Sequence, residues 1–190
     1  MNKRDKFIII LFVLGFVSYF SIDVFIDSLA VNEEQNLPTQ LNALEHDFTT
    51  ALQYKSKYMG DFVNLNSLNG SLPLTNRHPF TLELNPEVLS ANIVFAYNLS
   101  SSELIELERD FIYSAIANLV LIENLEKITY QFNDYSYSLT KADTENWYNI
   151  ELTKLQSEQL WKNTIQSTLS DNYLVGLFFE KVVIVSSNQN

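Results

Sequence analysis

Residues 91–132 read ANIVFAYNLSSSELIELERDFIYSAIANLVLIENLEKITYQF, and this stretch decides the fold. Ala91 to Asn98 is a near-continuous apolar run of the kind a central strand shows. Ser100 and Glu103 then stand three residues apart, the spacing of a capping box at a helix start. Leu104, Leu107, Phe111, Ala115 and Leu119 recur at helical spacing, with Ile112 and Ile116 widening the face. This is the clearest helix in the chain, and it runs to about Ile122. Beyond it, Ile128, Tyr130 and Phe132 alternate with Thr129 and Gln131, which is strand periodicity.

Working outward, Tyr135, Tyr137 and Leu139 repeat that alternation across an Asn133-Asp134 turn, so 127–139 reads as a hairpin. Upstream, Phe80, Leu82 and Leu84 alternate with Thr81 and Glu83 as a half-buried strand, and Asn85-Pro86 makes the turn that follows. Further back, KSKYMGDFVNLNSLNG at 55–70 places Gly60 where a positive φ is available and Asp61 where a helix needs an N-cap. Phe62, Leu65 and Leu68 continue as a short helix that stops at Asn69-Gly70. Thr39 to Tyr54 carries a helical stripe of Leu41, Leu44, Phe48 and Leu52. Lys141 to Tyr148 begins another helix, and Glu151 to Leu169 reads as helical through Leu152, Leu155, Leu160, Trp161 and Ile165. Residues 171–190 fit either a helix to Phe179 or a last strand at Val182 to Val185. The expected body is α+β: about four mainly antiparallel strands packed on the long central helix, with flanking C-terminal helices.

The N-terminus is different in kind. Phe7 to Ile26 is apolar apart from Gly15, Ser18, Ser21 and Asp23, and Lys3, Arg4 and Lys6 precede it. Twenty helical residues span about 30 Å, the thickness of a bilayer core. The basic tip belongs on the cytoplasmic side, which puts the body outside. Residues 1–30 are therefore read as a basic tip and signal-anchor, 31–38 (VNEEQNLP) as a linker, and 39–190 as an extracytoplasmic domain. Two alternatives stand beside this reading: a signal peptide cleaved after Ala30, which would release the domain, and a buried core helix.

The chain has 190 residues, a net charge of −11 and no cysteine. Disulfides and thiolate metal sites are thereby excluded. From Phe7 onward nine basic residues face twenty-two acidic ones, so the body repels nucleic-acid phosphates and anionic lipid headgroups.

Two pieces of the sequence together carry a family likeness. Tyr58-Met59-Gly60-Asp61, followed by Leu65 and Leu72-Pro73, is one; Asn118, Leu121, Ile122, Asn124 and the strand Ile128 to Phe132 is the other. Residues 52–147 resemble the bacterial family named domain of unknown function 4825, although the Pro-Tyr-Gly element of that family is absent from Glu83 to Phe95. The resemblance implies a small extracytoplasmic domain on a single membrane anchor, mainly in Gram-positive bacteria. It also implies occasional company with membrane-borne sensing or regulatory modules, and no activity.

Candidate sites are few. Gly60 and Asp61, with Tyr58 beside them, form the best turn for a ligand, weighed against a plain capping role. A calcium loop needs more oxygens in series than Asp61, Asn64 and Asn66 provide. Tyr130, Tyr135, Tyr137, Trp147 and Tyr148 form a candidate contact patch, weighed against core packing. His46 reads as part of a solvated helix face and His78 as a surface turn, and zinc would need more ligands than these two supply. Glu106 and Asp110 are a carboxylate pair at i, i+4 that the polar side of a helix explains. No catalytic set, metal or cofactor is called for. The expected function is a non-enzymatic binding, sensing or regulatory domain with an envelope protein partner, held at the membrane by residues 7–26. The alternatives are an envelope hydrolase using two carboxylates and a released, secreted domain.

Overall fold

The computed structural model describes residues 42–76, 78–98 and 104–188. The chain divides at Pro38/Thr39 into two units, and the description concerns the second. Among the described residues no helix is long and apolar enough to cross a membrane, and the expected span at 7–26 lies outside them.

The domain opens with a one-turn helix α1 (Thr49–Leu52), then α2 (Phe62–Ser71) and α3 (Pro73–Asn76). Strand β1 (Thr81–Asn85) and β2 (Ser90–Val94) are joined through a 3-10 turn at Pro86–Val88 and Leu89 in the left-handed region, φ 49°. Helix α4 (Leu104–Leu121) follows, then the hairpin β3 (Lys127–Gln131) and β4 (Tyr135–Thr140) and helix α5 (Lys141–Tyr148). The C-terminal part comprises a 3-10 turn at Leu152–Leu155, α6 (Glu158–Trp161), a π turn at Lys162–Gln166, α7 (Ser167–Leu169), α8 (Asn172–Val182) and β5 (Ile184–Ser187).

The class is α+β as expected, but the sheet has five strands in the order β1-β2-β3-β4-β5 and is mixed. Strands β2 and β3 are parallel, with Ala91 opposite Ile128 and Ile93 opposite Tyr130. Helix α4 is the crossover that a parallel pair requires. The other three pairings are antiparallel. The fifth strand answers the C-terminal ambiguity, because the segment forms both a helix and a strand. Asn188 fixes it by donating from its backbone to Asp134 O and from its side chain to Phe132 O, each at 2.7 Å.

Alternation along the strands places Leu82, Ala91, Ile93, Ile128, Tyr130, Tyr137 and Leu139 in the core. Helix α4 lies against that side, with the Phe111 ring 5.3 Å from Tyr130 and 5.9 Å from Tyr137. On the opposite side of the same hairpin the Thr129 and Ser138 hydroxyls meet at 2.9 Å.

Two long helices expected from periodicity are broken. In 42–54 only α1 is helical, because Asn42 Oδ1 accepts the Leu44 N–H and Asp47 Oδ1 accepts the Thr49 N–H and hydroxyl. Short polar side chains that bind nearby amides compete with helix propagation in this way. In 151–169 Ser157 caps a fresh start, accepting the Leu160 N–H.

Candidate functional site

The turn before α2 is built from backbone hydrogen bonds. Asp61 N–H reaches Tyr58 O at 3.3 Å and Phe62 N–H reaches Gly60 O at 2.9 Å. Asp61 is the N-cap: its Oδ1 accepts the Asn64 N–H at 3.1 Å, which satisfies one orphan donor of the first turn. The turn is stapled to the end of α4. Met59 N–H donates to Asn124 Oδ1 at 2.7 Å, and Ser56 bridges Ile122 in parallel fashion. Met59 itself is buried.

Gly60 does not take the positive φ expected of it: no described glycine has one. A Cβ built at Gly60 meets nothing within 4 Å. Neither backbone conformation nor packing inside the domain requires a glycine here. Close to it in the chain three large apolar side chains are exposed, Tyr58 at 69%, Phe62 at 49% and Val63 at 74%, beside exposed Lys57 and Asp61. A rigid turn thus presents three large apolar side chains about a bare backbone.

The expected aromatic patch does not assemble as an exposed surface. Tyr130 is fully buried, with its hydroxyl at 3.3 Å from Asn118 Nδ2, and Tyr137 is buried beside Phe179. Trp147 and Tyr148 pack against Phe178, at 5.3 and 5.9 Å between ring centroids. Tyr135 alone of the five is exposed. Alternation puts Tyr130 and Tyr137 on the core side of the sheet, where Phe111 of α4 and Phe179 of α8 pack on them.

His46 corrects the sequence reading outright. It is 1% exposed, between exposed Glu45 and Asp47. Its Nε2 lies 2.9 Å from Ser71 O, which only accepts, so Nε2 carries the proton. Nδ1 then accepts the Tyr113 hydroxyl at 2.7 Å. Burial lowers the imidazole pKa, opposed by the Ser71 bond and Asp47, and burial pushes the Tyr113 phenol well up. Sequence reasoning missed this residue because its helix stripe was drawn through Leu44 and Phe48.

Asp110 is also buried rather than solvated: its Oδ1 accepts the Ala43 N–H at 3.1 Å. Gln166 Nε2 completes the clamp on that segment, donating to Ala43 O, Leu44 O and His46 O at 3.0–3.2 Å. Glu106 and Asp110 share a polar pocket of about 90 Å³ with Asn42, Leu44 and Arg109. That volume suits a few waters and not a sugar ring. Among the described residues no three His, Asp or Glu side chains gather as metal ligands.

The two sequence pieces that carried the family likeness therefore touch each other, through Met59–Asn124 and through a second bond set. Buried Asn69 on α2 and Asn118 on α4 exchange reciprocal amide bonds at 3.0 and 3.1 Å. Residues 51–142 match the family described as Domain of unknown function (DUF4825). Over that segment the chain is similar to DUF4825. No curated protein and no solved structure matches it. The DUF4825 segment holds α2 to α4 and β1 to β4, whereas β5 and helices α6 to α8 lie beyond it. Of the residues on which the likeness was read, Met59, Asn118 and Asn124 are engaged within the fold, while Tyr58 and Gly60 are exposed.

Proposed function

We propose that the protein is a membrane-anchored binding subunit without catalytic activity, carrying its DUF4825-like domain outside the cell on a single span at residues 7–26. The Tyr58–Val63 corner is its contact surface, and the occupant is another envelope protein. One observation carries this reading: three exposed apolar side chains lie within three residues of a glycine that the fold does not need. Exposed aromatic and aliphatic groups on a rigid turn lose little conformational entropy on binding. A bare glycine lets a partner's backbone approach closely. The engaged state of Asp110 and the small volume beside it support a non-catalytic role.

The test is site-specific photo-crosslinking of the full-length protein in intact cells. A crosslinker at Val63 gives one discrete adduct with an envelope protein, and a crosslinker at exposed Lys154 gives none. Equal labelling at the two positions, or none at either, removes the corner as a contact surface.

A further inference from the structure

Among the described residues β1 stands at one edge of the sheet and β5 at the other, and the two edges are finished differently. Strand β1 carries Glu83, with Pro79 ahead of it and Pro86 directly after it. Charges and prolines are devices that keep a sheet edge from pairing with another chain. Strand β5, Ile184-Val185-Ser186-Ser187, has neither, and its register along β4 runs unbroken from Ser138–Ile184 to Tyr135–Ser187. All four of its residues are exposed, Ile184 at 47% and Val185 at 49%. We propose that β5 pairs antiparallel with β5 of a second copy of this chain, joining the two sheets across a two-fold axis at Ser186. The inference goes beyond the Tyr58–Val63 corner and does not depend on it.

The backbone bonds set which groups of β5 are free. Phe132 N–H donates to Tyr135 O at 2.8 Å, so the Tyr135 backbone points toward β3. By alternation Ser136 and Ser138 point toward β5. Asn188 N–H donates to Asp134 O at 2.7 Å, so Asn188 points toward β4, and Ser186 and Ile184 with it. The two routes agree on the phase: Ser136–Ser186 and Ser138–Ile184 are the hydrogen-bonded pairs. Val185 and Ser187 therefore turn their N–H and C=O groups away from β4, to the side where no other described strand stands.

This edge is its own complement. Directly opposed residues of an antiparallel pair share a face, so two copies related by a two-fold axis must pair residues of like parity. With the axis at Ser186, Val185 of each copy stands opposite Ser187 of the other. Each such pair exchanges both of its backbone bonds, and every outward N–H and C=O of β5 finds a partner. The Val185 side chains of the two copies then lie diagonally across the seam on one face, within the reach of cross-strand contacts.

Charge favours the same occupant. The chain carries −11, so two copies repel each other over most of their surface. Residues 182–188 hold no charged side chain, and self-pairing brings that neutral segment against itself. Four residues make a small contact, and small contacts belong to transient complexes. The dimer is accordingly weak, and its population rises with protein concentration.

The absence of cysteine makes the test direct. Across the axis the two Ser186 residues form a non-hydrogen-bonded pair, with Cα atoms about 4.5 Å apart, inside the range of about 4.4–6.8 Å that a disulfide spans. Full-length Ser186→Cys, mildly oxidised in detergent solution, forms a covalent dimer about tenfold or more faster than Thr153→Cys, placed at another exposed position. Adding Ser187→Pro removes an outward N–H and leaves the bonds to β4 in place. It slows the Ser186→Cys crosslink by a similar factor while thermal melting shows the variant folded. Val63→Asp leaves the crosslink rate unchanged, which separates this edge from the protein-contact corner. A Ser186→Cys protein that stays monomeric overturns the inference, as does a rate no greater than that of Thr153→Cys or a dimer that Ser187→Pro leaves undiminished. A photo-crosslinker at Ser186 that adds to a different protein in intact cells, with no self-adduct, overturns it as well.

Discussion

Asp61 and His46 show how differently two polar residues serve one fold. Asp61 is exposed and accepts a single amide at the start of α2. Asp61→Ala is expected to lower unfolding free energy by about 0.5–2 kcal/mol, as read from a urea titration. Gly60→Ala, a few ångströms of chain away, removes nothing the fold uses and is expected to leave stability unchanged or raise it by about 0.4–1 kcal/mol. His46 acts through its protonation state. Its folded pKa lies below the ordinary 6.5, so the unfolded chain takes up the proton first as pH falls. The stability it contributes is complete above pH 6.5 and declines below it, by at most about 1.4 kcal/mol per pH unit, until the folded pKa is reached. Denaturation at pH 7.5 and 5.5 should show this loss, and His46→Gln should flatten it. A slope that His46→Gln leaves intact would place the titration elsewhere.

Helices α2 and α4 are registered by the Asn69–Asn118 amide pair, which is also bonded to Leu65 O and Ser114 O. Replacing one asparagine strands the other's amide away from water. Asn118→Leu is expected to cost about 1–3 kcal/mol, and the double variant Asn69→Leu/Asn118→Leu less than the sum of the singles. Additive losses in that cycle would mean the two side chains do not act as a pair. At this scale much was legible in the sequence. The alternation at 81–84 and 128–139 gave strands, and the 3.6-residue stripe from Leu107 to Leu119 gave α4, because apolar period reports which side is buried. The parallel pairing of β2 with β3 was not legible, since strand direction depends on where α4 returns the chain and leaves no mark on the period. The breaks at Asp47 and Ser157 were hidden for another reason: a local side-chain bond to an amide overrides an apolar stripe that continues across it. The corner at Tyr58 was readable as a turn, but the exposure of Phe62 and Val63 was not, since both sit on a helix whose buried side runs through Leu65 and Leu68.

For the whole domain, the matched segment 51–142 is not a complete core. Phe48, ahead of it, stacks on Trp161, behind it, at 3.8 Å with planes 2° apart, and the Tyr113 ring stands edge-on to Trp161 at 4.9 Å. Strand β5 closes one side of the sheet along β4. Trp161→Ala should therefore destabilise by about 3–5 kcal/mol, a large part of the 5–15 kcal/mol of an ordinary domain. The account predicts that Trp161→Ala melts early while Gly60 and Val63 variants melt with the parent protein. That contrast is what separates the packing residues from the contact surface. The most direct test of the proposed contact surface is the yield of the Val63 photo-adduct in intact cells for Gly60→Leu against the parent, normalised to folded protein in the membrane fraction. The account predicts that the adduct is lost while the melting temperature holds. An adduct of undiminished yield in Gly60→Leu would contradict it.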